Sequence, residues 1–225
     1  MTWVKICGQR TPAEIEAAAG ADAMGLVVEY PAEVPWNLTR DEAAERVGLI
    51  PNEVEVVAVV GGDPDVVVEI ADRVRPDWVQ LHADEPIADT ATIVAAMHER
   101  GVQVIKALRF DIETGMCRNG ADPVMLAHEL VAIGVDRLLV DSVSAARVAG
   151  TGARVNRDTA RRIVEEAGVP VILAGGLTPD NVAEAIGEVR PFGVDVISGV
   201  EGPDHHKDAA LVEAFISAVR TVPEV

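Results

Sequence analysis

Lysine is nearly missing from this chain. Its 225 residues hold three, Lys5, Lys106 and Lys207, and arginine supplies the other positive charges. With 37 acidic residues against 19 basic ones, the formal net charge is -18. A surface this acidic repels nucleic acid and anionic membranes, so neither is expected as a partner. The acid is spread along the chain rather than held in a tail. With so little lysine, that distribution suits a protein working in concentrated salt, where a short Debye length makes dense carboxylates tolerable. Cysteine is equally scarce. Cys7 and Cys117 are too few for a disulfide framework. Long apolar runs are missing too, since none approaches the roughly 20 residues that cross a bilayer. The first residues do not place a basic stretch before an apolar one, so no signal peptide is expected. A cytoplasmic protein, monomer or homodimer, is the expectation. Aromatic residues are only 3% of the chain, yet hydrophobic residues reach 49%, enough for a sizeable core of aliphatic side chains.

What the chain does have is one repeated unit. Apolar, β-branched stretches fall at 2–6, 23–28, 54–60, 77–81, 102–107, 137–141, 170–174 and 193–197. Runs this apolar suit parallel strands buried on both faces. Amphipathic stretches lie between them, opened by Thr11-Pro12, Asp63-Pro64 and Thr178-Pro179-Asp180 and closed before the next strand by Gly20, Gly101, Gly134 and Gly168. The last helix is placed at about 207–221. Eight βα units without a Pro/Ser-rich linker predict an α/β fold, a single (β/α)8 TIM barrel spanning residues 1–225. An open doubly wound sheet is the alternative, but no GxGxxG follows the first strand.

Active sites of such barrels lie at the C-terminal ends of the strands. Read there, the chain offers Cys7, Gln80, His82, Lys106, Arg109, Asp141, Gly175-Gly176 and Ser198-Gly199. The last two turns form the clearest signal. Bare glycines after the seventh and eighth strands let backbone N–H groups approach a phosphate. Lys5 shares a face with Cys7 by strand alternation, and an ammonium there favours the thiolate. His82 reads equally well as a substrate neighbour or as a buried, hydrogen-bonded histidine. Cys117 reads as incidental, Trp3 and Trp78 as packing, and His98 and His128 as surface or packing residues. His205-His206 lack spaced partners, so no metal is expected.

These residues resemble the phosphoribosylanthranilate isomerase family of tryptophan biosynthesis. The resemblance rests on Lys5-Ile-Cys-Gly8, Val79-Gln-Leu-His82, Leu138-Leu-Val-Asp-Ser142, Gly150-Thr-Gly152, Ile172 through Val182, Gly193 through Glu201 and Lys207-Asp208, in order along most of the chain. It implies an Amadori rearrangement of a phosphoribosyl amine to an aminodeoxyribulose phosphate, with no cofactor. It implies Cys7 as general base and Asp141 as general acid. Lys5, Gln80, His82, Arg109 and Asp195 would bind the rest of the substrate, and Gly152, Gly175, Gly176, Ser198 and Gly199 its phosphate. The loop 142–155 would be a lid.

The resemblance breaks at one place. The family usually carries Ser-Pro-Arg after the second strand, the arginine lying by the anthranilate end. Here the residues are Val34-Pro35-Trp36. An indole cannot pair with a carboxylate as a guanidinium does, and Arg10 and Arg40 are the candidates to replace it. Gln9 also stands where an apolar residue is usual, and Val155-Asn156-Arg157 replace aromatic positions. Three readings follow: the isomerase itself, a paralogue acting on another phosphoribosyl amine or phosphosugar, or a barrel that binds a phosphosugar without turnover.

Overall fold

The eight apolar stretches become the eight staves of a closed parallel barrel. In the computed structural model, residues 1–111, 115–117, 121–143 and 156–223 are described. The strands are β1 (Trp3–Cys7), β2 (Ala23–Val28), β3 (Asn37–Leu38), β4 (Glu55–Val60), β5 (Trp78–Leu81), β6 (Gln103–Asp111), β7 (Arg137–Val143), β8 (Val171–Leu173) and β9 (Gly193–Val196). Hydrogen bonding runs β1-β9-β8-β7-β6-β5-β4-β2, and β1 pairs with β2 to close the ring. The helices are α1 (Pro12–Ala17), α2 (Arg40–Val47), α3 (Pro64–Val74), α4 (Ile87–Glu99), α5 (Pro123–Ala132), α6 (Arg157–Glu166), α7 (Val182–Val189) and α8 (Ala209–Arg220). This is the (β/α)8 barrel that the repeat predicts.

Alternation along each strand sorts the side chains. Val4, Ile6, Met24, Leu26, Val79 and Leu81 belong to the apolar layer under the helices. Trp3, Cys7, Ala23, Val27, Val57 and Ile105 belong to a second cluster inside the barrel. At the barrel's lower end the Arg137 guanidinium lies 3.8 Å from the Trp78 ring centre, 4.8 Å from Phe192 and 5.2 Å from Trp3. Three of the chain's seven aromatic residues thus close the end opposite the strand C-termini, which confirms Trp3 and Trp78 as packing.

Local sequence explains most helix starts. Thr11 caps α1 in a capping box with Glu14, and Pro12 fills its first turn. Asp63-Pro64 begins α3 in the same way. Thr178-Pro179-Asp180 does not start a helix, because α7 begins at Val182. Asn181 instead fastens the preceding turn, accepting from the Thr178 N–H at 2.9 Å and donating to the Gly176 carbonyl at 2.9 Å. Two strands are longer than the apolar pattern suggests. β6 continues through Arg109 to Asp111 because those residues pair with Asp141, Ser142 and Val143 of β7. Lys106 and Arg109 therefore lie within a strand, not after it. The short β3, absent from the hydrophobic pattern, pairs with Val27 and Val28 and ties down the loop carrying Trp36. No helix among the described residues is long and apolar enough to cross a membrane.

Candidate active site

A cleft of about 750 Å³, measured to its open mouth, lies over the C-terminal ends of the strands. Its middle is lined by Cys7, Gln80, His82, Asp141 and Asp195. Gly175, Gly176, Ser198 and Gly199 line it too, as do Val27, Tyr30, Val34, Trp36 and Ile197. Two glycine-bearing turns, a row of titratable groups and an apolar, aromatic region therefore share one cavity.

Strand register builds the middle. Lys5 is the direct neighbour of Asp195 between β1 and β9. Its ammonium is fully buried and bonds Asp195 Oδ1 at 2.9 Å. Burial works against that charge, but Asp195 and Cys7 outweigh it and hold the Lys5 pKa above its ordinary value. Cys7 is itself buried. Burial pushes its thiol pKa up, Asp195 adds to this, and the ammonium groups of Lys5 and Lys207 act in the opposite direction without prevailing. Lys5 favours the thiolate as expected, but it does not set the balance. Its charge is already matched by Asp195, and desolvation is the larger effect.

Across from Cys7 in the chain's order, β5 delivers Gln80 and His82. Gln80 Nε2 lies 3.0 Å from His82 Nδ1. With the amide donating to Nδ1, the neutral imidazole would carry its proton on Nε2, which lies 3.3 Å from Asp141 Oδ2. The His82 carbonyl accepts from Tyr30 OH at 3.0 Å and from Arg109 at 3.3 Å. His82 is thus hydrogen-bonded and half-buried, with its ring lining the cleft. Arg109 and Lys5 do not line the cleft. They brace it from behind, as does Lys106, whose ammonium bonds Glu85 at 2.6 Å and the Ala83 carbonyl at 2.7 Å.

The glycine turns interlock. Gly175 and Gly176 take φ of 83° and 65°, left-handed values that side chains rarely adopt. A Cβ on Gly199 would stand 1.9 Å from the Leu177 carbonyl oxygen, so only glycine fits where the second turn meets the first. Ser198–Val200 form a single 3-10 turn there. Gly152 and the remainder of the 144–155 loop lie outside the described residues.

The apolar region contains groups that the sequence reading left without roles. Trp36 is buried, and its Nε1 donates to Glu201 Oε1 at 2.7 Å. The same oxygen takes the buried Lys207 ammonium at 2.5 Å, which also bonds the Ile197 carbonyl at 3.0 Å. Arg40 pairs with Glu29 and Glu69, and Arg10 donates to the carbonyls of Pro35 and His205. Neither arginine lines the cleft. Tyr30 was missed, although a lone tyrosine just past a strand end was a usable signal. Of the remaining histidines, His98 pairs with Asp136, His128 meets the Glu166 carbonyl and His206 meets Glu14. Among the described residues, no group of three or more His, Cys, Asp or Glu is placed to hold a metal ion. Cys117 is buried beside Phe110, with its thiol pushed up to about 11 by burial.

Comparison with known proteins agrees with this geometry. The family model for N-(5'phosphoribosyl)anthranilate (PRA) isomerase matches residues 4–218. N-(5'-phosphoribosyl)anthranilate isomerase of Methanosarcina acetivorans is 38% identical, over 97% of this chain and 93% of its own. The enzyme of the same name from Natronomonas pharaonis is 38% identical, over 97% and 98%. Phosphoribosyl anthranilate isomerase from Thermococcus kodakaraensis superposes with a TM-score of 0.78 at 31% identity, covering 98% of this chain and all of that one. A phosphoribosyl anthranilate isomerase has also been solved with reduced 1-(o-carboxyphenylamino)-1-deoxyribulose 5-phosphate, with a TM-score of 0.77 at 29% identity over 98% and 99% of the two chains. With its barrel, its cleft and its sequence in agreement along nearly the whole length, the chain belongs to the N-(5'-phosphoribosyl)anthranilate isomerase family.

Proposed function

We propose that this chain is an aldose–ketose isomerase that converts N-(5'-phosphoribosyl)anthranilate to 1-(o-carboxyphenylamino)-1-deoxyribulose 5-phosphate, with Cys7 as base and Asp141 as acid. The observation that carries this is the single cleft in which a cysteine and an aspartate meet two glycine turns and an aromatic wall. The glycine turns take the phosphate, whose charge is met by backbone N–H groups rather than by cations. Asp141, aligned by the His82 Nε2 proton, protonates the ribose ring oxygen. The ring opens to a protonated Schiff base. Cys7, as thiolate, removes the C2 proton, and the enolamine tautomerises to the ketone. Gln80 fixes the histidine tautomer that this alignment requires. Asp195 lines the cleft beside Cys7 and is the candidate for the sugar hydroxyls. A tryptophan-pathway enzyme of this kind would work in the cytoplasm.

The test is turnover of freshly prepared phosphoribosylanthranilate, followed by loss of its fluorescence in high-salt buffer. Cys7→Ala and Asp141→Asn should each lower kcat by about a hundredfold to ten-thousandfold while phosphate-ligand binding survives, the scale of losing a proton-transfer group. Turnover retained in either variant removes that residue from its role. Ligand binding by the wild-type chain without any turnover would favour the binding-only barrel.

A further inference from the structure

We propose that Trp36 determines substrate specificity at the amine end of the cleft, and that the cleft accepts phosphoribosyl arylamines whether or not the ring carries a carboxylate. This rests on the phosphoribosylanthranilate isomerase reading given above and says what its amine end selects. Three observations carry it. First, the indole is fixed in place. It is buried, its N–H is committed to Glu201, and Glu201 is held in turn by the buried Lys207. Second, it stands beside the reacting centre. Trp36 Cδ1 lies 3.0 Å from where a Cβ on Gly8, the residue after Cys7, would be. Third, the remaining walls here are Val27, Tyr30, Val34 and Val59, and no lysine or arginine lines the cleft among the described residues.

A planar amine entering this end meets ring faces and aliphatic surface. Stacking on an aromatic face is insensitive to ring substitution, whereas a guanidinium fork would select a carboxylate. Glu201, which takes the indole N–H, is an anion matched by Lys207, and Arg10 is committed to the carbonyls of Pro35 and His205, so these groups offer no free cation to a second carboxylate. Trp36 is a specificity residue, not a catalytic one. Its expected signature is a change in preference between ligands.

The experiment separates aglycone selection from the reaction. Ribose 5-phosphate is reductively aminated with anthranilate and with aniline, giving two unreactive aminodeoxyribitol phosphates that differ only by the carboxylate. Their Kd values are measured by calorimetry on the wild-type chain, Trp36→Phe and Trp36→Arg, alongside turnover of phosphoribosylanthranilate. The wild-type chain and Trp36→Phe should bind the two adducts within about tenfold of each other. Trp36→Arg should shift the ratio toward the carboxylated adduct by about tenfold or more, the scale of a charge-assisted pair. A wild-type preference for the carboxylated adduct beyond tenfold would overturn the inference while turnover upholds the isomerase. Similar binding of both adducts without turnover would overturn the reaction and uphold the aglycone assignment. Failure to bind either adduct would overturn both.

Discussion

Gly25 faces Cys7 across the β1–β2 pairing. Parallel neighbours point the same way, so any side chain at position 25 would project beside the thiol. An ideal Cβ there would lie 2.6 Å from Cys7 Sγ, 3.0 Å from Lys5 Cε and 3.1 Å from Lys5 Nζ. Non-bonded heavy atoms settle at about 3.5–4.0 Å, so Gly25→Ala demands a displacement of about 1 Å. Lys5 cannot easily yield, being fastened to Asp195 at 2.9 Å, and β1 is paired on both sides. The movement therefore falls on the Cys7 thiol. A 1 Å misplacement of a reacting group costs about a hundredfold in rate, and overpacking a filled interior costs about 1–3 kcal/mol. Gly25→Ala should accordingly lower kcat by about a hundredfold and shift the urea midpoint downward. The double variant Cys7→Ala/Gly25→Ala, lacking the nearest atom, should be more stable than the sum of the single changes by about 0.5–3 kcal/mol. Turnover of Gly25→Ala within a factor of about two, or strict additivity of the two changes, would refute the close-approach argument.

Three further outcomes follow from charge. Because burial keeps the Cys7 proton on in the folded chain beyond the ordinary thiol value of about 8.5, kcat/KM should climb with pH through that value and not level off at neutrality. In the same range the folded chain binds more protons than the unfolded one, so stability should fall as pH rises, by up to about 1.4 kcal/mol per pH unit for this group. Urea melts of the wild-type chain and Cys7→Ala between pH 8 and 10 check the sign, and identical slopes would exclude Cys7 as their source. The net charge of -18 should make the fold salt-dependent. Relief of about 2 kcal/mol of self-repulsion between 0.1 and 2 M KCl would raise Tm by about 4–8 °C, and a Tm that ignores salt would end the high-salt reading.

The barrel was readable because the eight barrel strands are apolar enough to be buried on both sides, and most helix starts carry their own chemistry, as at Thr11-Pro12 and Asp63-Pro64. The glycine turns were readable because they recur at two successive strand ends. Other features depend on distance and register, which the chain order hides. Arg109 looks like a loop residue until its pairing with Asp141 extends β6. β3 is two residues long and has no period to detect. His82 and Asp141 were each predicted at the mouth of the barrel, but it is the pairing of β5 and β7 with the two sides of β6 that brings them to 3.3 Å. Lys5 was recognised as a neighbour of Cys7, but the balance that keeps the thiol protonated needed Asp195, far along the chain, and a measure of burial.

The scarcity of lysine turns out to be informative about the site. All three lysines are buried, and each is matched by a carboxylate: Lys5 by Asp195, Lys106 by Glu85 and Lys207 by Glu201. None is left for the surface, where arginine is the strongly basic side chain. The chain has kept lysine only where a compact ammonium is enclosed, and two of the three influence Cys7. Their charges are spent internally, so they cannot draw an anionic substrate to a surface that is itself strongly acidic. On the proposed function, attraction would come at contact range, from the N–H groups of the turns at Gly175-Gly176 and Ser198-Gly199 that line the cleft. Concentrated salt suits this arrangement. It shortens the reach of the repelling carboxylates to about 3 Å at 1 M, and short hydrogen bonds within the cleft are screened far less. On these proposals the acidic exterior and a cleft that no lysine or arginine lines among the described residues belong to one electrostatic arrangement, in which long-range fields are screened and recognition would fall to backbone N–H groups and the Trp36 indole.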